Sequence, residues 1–525
     1  MAQVHARGRT VRRRRVGGPA RALLAMLLTA LVVGGAVPYV SGAGRAYLSY
    51  LVLAEGEDAA GAARAGAESR AAGGQVVQEY PQIGAVLVYA TGAFADRVRA
   101  RPGIAAAGAT RTAPVVAPPR AVAGTGDFSA GTGAGTATGA RAAGAVAGRG
   151  AGRSGDVLAR GGDRADSGTV TVPDPGEAGA WNLAMVAGAG IRAGGAPAVS
   201  GGAVPGADAL HGVLVAVLDS GVDDTHPDLR AAVDPKASAS CADGRPDART
   251  GAWRPDAGVV ESGHGTHVAG IVGATRDGRG VTGVAPGVRI AAVRLLGPLG
   301  QYYAENVVCG MLWAADHGAR AINNSYFADP WKYNCPEERD QAALIAAVGR
   351  AAGYARRAGA VVVASAGNDG QDLGAGRTDE RSPNDRVSGP APVRHLGTEC
   401  VRLPGELPGV VTVTAVNRDG HPAGYSNYGR GRVSLAAPGG DPDGGPQGAI
   451  VSDWPDGRFA ALAGTSMAAA HVTGAVAVVA ALHPELGADG LAGALAGTAA
   501  SGCPPGAFGC AERQYFGAGL VVLPR

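Results

Sequence analysis

The chain has 525 residues, enough for one large domain with accessory segments. There are 88 glycines and only 5% aromatics, yet 46% of residues are apolar, so a sizeable core is possible where the Val, Ile, Leu and Ala runs concentrate, from about Gly212 onward. Forty-seven basic side chains nearly balance 44 acidic ones. The basic excess lies in the first fifteen residues and not on a domain face, so no nucleic-acid partner is expected.

Residues 1–43 read as an export signal. Arg12–Arg15 supply the positive region, Ala22–Val37 the apolar stretch, and Ser41-Gly42-Ala43 a small-x-small cleavage pattern. The alternative is an uncleaved anchor, because extension to Val40 approaches spanning length. Membrane contact is expected only through this segment, and the mature chain is expected outside the cell. All six cysteines lie beyond residue 240 and fit an oxidising compartment. Many pairings are possible. Cys503 with Cys510 closes the shortest loop, and Cys241–Cys309 with Cys335–Cys400 would complete one set. No Cys-x-x-Cys occurs, so a zinc ribbon is not expected.

Residues 45–112 predict a small α+β unit: strands at Tyr47–Leu53, Gln75–Tyr80, Gly84–Ala90 and Gly103–Ala109, with helices at Glu57–Ala72 and Phe94–Ala100. Residues 113–174 are Gly, Ala, Thr, Ser and Arg, too poor in large apolar side chains to offset ordering entropy, and read as a linker. In 175–525, short apolar runs at Val213–Asp219, Val288–Leu295, Ala321–Ser325, Ala360–Ala364 and Val410–Ala415 alternate with helical patterns. The helices are Thr266–Ala274, Glu305–His317, Glu337–Ala358, Ser466–Leu482 and Leu486–Ala496. Buried strands alternating with helices predict a doubly wound, mostly parallel α/β sheet, with reactive groups at the carboxyl ends of its strands.

Four segments stand at such ends. Asp219 closes an apolar run before a glycine turn, in VLDSGVD. His264 opens a small-residue helix in HGTHVAG, and Ser466 opens an apolar one in GTSMAAAHV. Asn368 follows a buried strand in SAGN. Each has an ordinary explanation as a cap or turn residue, and His264 with His267 could suggest a metal pair but lacks a nearby carboxylate or thiolate. Together they supply a weak nucleophile, its base, the carboxylate that orients the base and a donor for an oxyanion. The order Asp…His…Ser is one of the convergent triad arrangements.

At these residues the chain resembles the subtilisin family of serine proteases. DSGVDDTHPDL, HGTHVAG, AGN at Ala366–Asn368 and GTSMA match its signatures in order, over about residues 175–525. The resemblance implies peptide-bond hydrolysis with Ser466 as nucleophile, His264 as general acid and base, Asp219 as its orienting partner and Asn368 in the oxyanion hole. It implies that Ser325, Tyr326 and Phe327 form one substrate-binding edge, and that Ser365, Ala366 and Gly367 wall the pocket opposite. A protein or peptide substrate is implied, no cofactor for the chemistry, and a monomer.

Asp228 and Asp277 resemble calcium ligands of the family, although Arg276 and Arg279 flank Asp277. Tyr326-Phe327 replace the usual Leu-Gly, so narrower subsites are expected. Ala470 replaces a usual proline, so a straighter helix is expected. Residues 46–112 resemble the family's propeptide, which implies a partner carried in the same chain and cleavage within 113–180. Tyr515–Val521 resembles the family's closing segment, so no further module is expected.

Overall fold

The computed structural model describes residues 47–115, 174–188, 205–259, 261–386, 389–499 and 513–524. The export-signal segment, almost all of the linker, and Cys503 and Cys510 lie outside the described residues.

The N-terminal unit has the predicted element order. Strands β1 (Leu48–Ala54), β2 (Gln75–Tyr80), β3 (Ala85–Ala90) and β4 (Ile104–Ala109) form an antiparallel sheet in the order β2-β3-β1-β4. Helices α1 (Ala59–Ala71) and α2 (Phe94–Arg99) cover one face. Asp58 caps α1 by accepting the Gly61 amide at 2.8 Å. Side chains alternate across strands. In β1, Tyr50 and Val52 turn toward α1 and α2, whereas Leu51 and Leu53 turn the other way into a second core.

That second core belongs to the large sheet. Short helices α3 (Trp181–Val186) and α4 (Ala207–His211) precede it. Its strands are β5 (Leu214–Asp219), β6 (Ala239–Ser240), β7 (Arg289–Arg294), β8 (Ala321–Asn324), β9 (Val361–Ser365), then β12 (Val411–Val416) and β13 (Leu435–Pro438). The order is β13-β12-β9-β8-β5-β7-β6, and every neighbouring pair is parallel. A two-stranded ribbon, β10 (Arg377–Asp379) with β11 (Arg394–Leu396), lies between β9 and β12 in sequence. After one helical turn, α8 (Gly445–Gly448), comes a hairpin of β14 (Ile450–Trp454) and β15 (Arg458–Leu462).

Helices α5 (His264–Gly273) and α9 (Thr465–Leu482) pack on one face of the large sheet against Val215, Val217, Val363 and Val413. Helices α6 (Ala304–Asp316) and α7 (Arg339–Arg357) pack on the other against Leu214, Leu218, Ile322 and Val362. Helix α10 (Ala488–Thr498) closes the first layer. The apolar runs contain both parities because both faces are covered, as a buried parallel sheet requires. α9 is unbroken through the fully buried Ala470, as the missing proline predicts. Of the proposed pairs two are described: Cys241–Cys309 ties the loop after β6 to α6, and Cys335–Cys400 joins the loop before α7 to the loop before β12.

The chain lays down β6 and β7 on one side of β5, then β8, β9, β12 and β13 on the other. The switch therefore falls between β5 and β8, where α/β sheets open a crevice at their carboxyl ends.

Candidate active site

Asp219 is the last residue of β5 and has no exposed surface. Its Oδ1 accepts the Ser220 amide at 2.7 Å and lies 2.7 Å from His264 Nδ1. His264 is the first residue of α5. The approach is close because Gly265 sits against the strand: a Cβ there would meet the Gly221 carbonyl oxygen at 2.4 Å. Burial, the strongest single influence on His264, disfavours its charged form, but the charge and hydrogen bond of Asp219 outweigh it and the imidazole pKa is raised. His267, one turn on, points elsewhere: its Nε2 lies 3.1 Å from the carbonyls of Ile450 and Ala460, and burial lowers its pKa to about 3. The two histidines therefore do not form a metal pair.

Ser466 enters in the first turn of α9 behind Gly464, so its amide has no acceptor four residues back in the helix. Its Oγ donates to the Ser325 carbonyl at 3.2 Å, and Ser325 Oγ donates to the Ser466 carbonyl at 3.1 Å. Thr465 holds Asn368: its amide and hydroxyl both donate to Asn368 Oδ1, at 2.9 and 2.7 Å, which leaves the Asn368 amino group to face outward. Gly367, at φ +105°, makes the turn that presents Asn368, and its amide donates to Thr465 Oγ1 at 3.1 Å.

His264, Ser325, Tyr326, Phe327, Ser365, Asn368 and Ser466 line a single cleft of about 580 Å³. Ala366 and Gly367 form the turn behind Ser365, and Ala366 is buried. Tyr326 is only 5% exposed: its ring stacks on Tyr302 at 4.9 Å, and its hydroxyl donates to Asn324 Oδ1 at 2.6 Å. The bulk expected at both positions thus falls mainly to Phe327.

The two residues proposed as calcium ligands are near enough for the charge of Asp277 to help raise the pKa of Asp228, but they face different partners. The Oδ2 of Asp228 accepts the Val281 amide at 2.9 Å, whereas Asp277 faces Arg279 at 3.7 Å. Asp228 instead clusters with His226 and Asp453, all buried, and burial raises the pKa of both carboxyls.

Sequence reading missed several residues of the site. Tyr302 donates to Asp219 Oδ1 at 3.4 Å. Ser220 Oγ donates to the Ser262 carbonyl at 2.7 Å and accepts the Gly265 amide at 2.9 Å, tying the loop before α5 to β5. Lys332, Asp369 and Arg402 crowd the far end of the cleft, where Lys332 pairs with Asp369. Ser220 lies inside a motif already read, but nothing local marks Tyr302 or Arg402.

Comparison with known proteins agrees with this architecture. Fervidolysin of Fervidobacterium pennivorans is 32% identical over 295 residues, 51% of this chain and 34% of that protein, so the match spans about a third of that relative's length. Subtilisin BL of Lederbergia lenta is 29% identical over 310 residues, covering 59% of this chain and 88% of that one. Among solved structures, the epidermin leader peptide processing serine protease of Staphylococcus aureus aligns with a TM-score of 0.60 at 19% identity. It covers 91% of this chain and 97% of that one, a likeness of fold alone. The Subtilase family model matches residues 211–519, from just before β5 to the closing segment, and the chain belongs to the subtilase family of serine proteases.

Proposed function

We propose that the protein is a serine endopeptidase in which Ser466 attacks the peptide carbonyl, His264 carries the proton and Asp219 holds the imidazole. The observation that carries this reading is the 2.7 Å contact between His264 Nδ1 and buried Asp219, in the cleft that Ser466 also lines. In the resting hydrogen bond the serine hydroxyl faces Ser325. Rotation about its side chain frees Oγ to give its proton to His264 Nε2 as it bonds to the substrate carbon. The oxyanion would take hydrogen bonds from the Asn368 amino group and the Ser466 amide. Collapse passes the His264 proton to the leaving amine and leaves an acyl-enzyme, which water hydrolyses by the same route in reverse.

The export reading is supported by Arg12–Arg15, the apolar Ala22–Val37 and the two disulfides. The N-terminal unit would serve as propeptide. It shares a core with α6 and α7, and its last residues run along the protein, where the Thr112 amide donates to Asp385 at 2.8 Å beside cleft-lining Asn384. Self-cleavage would then fall within 113–180. Processing of one dedicated partner is the second reading, favoured by Phe327 and the six charged side chains that line the cleft.

Mass spectrometry of the secreted product beside Ser466→Ala tests the first reading, together with a serine-directed fluorophosphonate. The wild-type chain should take the label at Ser466 and lose its N-terminal segment. The variant should do neither. An unlabelled, inactive wild-type chain overturns the peptidase reading, and one sharp consensus in a peptide library selects the processing role.

A further inference from the structure

The cleft contains a buried cation with no anion of its own. Arg402 is 6% exposed and lies in the loop that follows Cys400. Its backbone is fixed at both ends: its amide donates to Glu406 Oε2 at 2.9 Å, its carbonyl accepts the Glu406 amide at 2.9 Å, and the next carbonyl, of Leu403, accepts the Ala328 amide at 3.0 Å. The guanidinium lies 5.0 Å over the ring of Phe327. A methyl at Gly367 would meet its Cζ and Nε at 3.4 Å. Arg402 therefore fills the gap between the two walls of the cleft, one following β8 and the other following β9.

Nearby carboxylates are engaged elsewhere. Glu406 binds Arg377, with Arg377 Nη2 3.0 Å from Oε1, and it also takes the Arg402 amide. Asp369 pairs with Lys332. Asp329 accepts the Tyr302 amide and the Asn384 side chain. Among the described residues the Arg402 guanidinium has no hydrogen bond or ion pair, and its buried Nε is unpartnered. An arginine carries five N–H donors in a planar fork suited to a carboxylate. Burying one with an N–H unpaired is unfavourable unless a ligand anion arrives.

The position of the gap identifies that ligand. Ser325, at the start of one wall, accepts the Ser466 hydroxyl, and Gly367, at the end of the other, immediately precedes Asn368. On the peptidase reading, a peptide whose carbonyl reaches Ser466 would place the side chain of that same residue between them. Building on the peptidase reading above, we propose that Arg402 is a specificity-determining residue that selects aspartate or glutamate at the position before the scissile bond. Phe327 holds the guanidinium plane through a cation–π contact while its N–H edge meets the substrate carboxylate.

The test uses the full-length secreted enzyme, with active sites counted by fluorophosphonate titration. Peptides identical except for Glu, Gln, Asp, Asn, Leu or Lys before the scissile bond are then compared. Glu or Asp should exceed its own amide in kcat/KM by about 10- to 100-fold. Arg402→Gln should erase that ratio while leaving the Gln and Leu peptides within a few-fold, and Arg402→Lys should retain part of it. A wild-type Glu-to-Gln ratio near or below one overturns the proposal, and so does an Arg402→Gln variant whose rates all fall equally. If Arg402→Gln does not fold, the wild-type ratio decides alone. Absence of labelling refutes the peptidase reading itself, whereas labelling without acid preference refutes only the role of Arg402.

Discussion

The two faces of the large sheet are both buried, yet they are put to different uses. On one face α5 and α9 approach closely through small residues. A Cβ on Gly474 of α9 would meet the Val272 carbonyl oxygen of α5 at 3.1 Å, and one on Gly270 of α5 would strike Ser452 Oγ of β14 at 2.3 Å. This closeness brings the first turns of both helices to the carboxyl ends of β5, β8 and β9, where His264 meets Asp219 and Ser466 lines the same cleft as Asn368. On the other face α6 and α7 carry a continuous apolar surface that receives β1 and β3, fringed by polar ties such as Arg111–Glu305 at 2.8 Å. One face brings a few polar side chains to one cleft. The other spreads its contacts over a whole second sheet. Substitutions of the reactive side chains at the end of the first should therefore alter turnover with little effect on stability, and those in the contacts of the second the reverse.

The largest expected effect is at Asp219. Asp219→Asn should lower kcat by roughly 10⁴-fold, as loss of the orienting carboxylate does in convergent triads. It should also move the pH profile. In the proposed mechanism the base is the neutral imidazole, so activity should rise with pH through the His264 pKa, which Asp219 holds above the ordinary histidine value against burial. Without that charge burial prevails, and the acid limb should shift to lower pH. A variant with wild-type turnover, or an unmoved limb, breaks the assignment. A smaller effect is expected at Asn368. Asn368→Ala should reduce kcat by about 100- to 1,000-fold with KM little changed, because the donor acts on charge that develops during reaction. In both variants the unfolding midpoint should stay within a few degrees of wild type.

How far the sequence revealed this division depends on the range of each interaction. The strands β5, β7, β8, β9 and β12 were legible as apolar runs, and α7, read as Glu337–Ala358, is Arg339–Arg357. The four motif segments were legible because each couples a strand or helix end to one reactive side chain. The β14–β15 hairpin was not read, although Pro455-Asp456-Gly457 is a turn signal and Asp456 and Gly457 do adopt φ of 68° and 67°. The surrounding Gly, Asp and Pro masked the short alternating strands. β13, four residues ending in proline, offered too little pattern to find. Arg402 and Tyr302 gain their meaning from walls contributed by distant segments, which no local periodicity encodes. Bulk at Tyr326 was read correctly, but whether that ring fills the cleft or folds against Tyr302 is a tertiary matter.

The smallest effect tests the docking face. Tyr80, fully buried at the end of β2, donates its hydroxyl to the Gly244 carbonyl at 2.6 Å and so ties the N-terminal sheet to the loop that Cys241–Cys309 anchors. The fit is tight, since a Cβ on Gly244 would meet Leu87 Cδ2 at 2.6 Å. Tyr80→Phe keeps the ring and removes one donor, leaving the Gly244 carbonyl buried without this partner at a cost of about 1–3 kcal/mol. The measurement belongs in a Ser466→Ala background, where the N-terminal unit stays covalently joined. There the urea midpoint should fall, while in the active enzyme fluorophosphonate labelling of Ser466 should proceed at the wild-type rate. An unchanged midpoint would mean that this contact does not hold the two sheets together. Slowed labelling would mean that the docking face communicates with the cleft, and the division of labour between the faces would have to be abandoned.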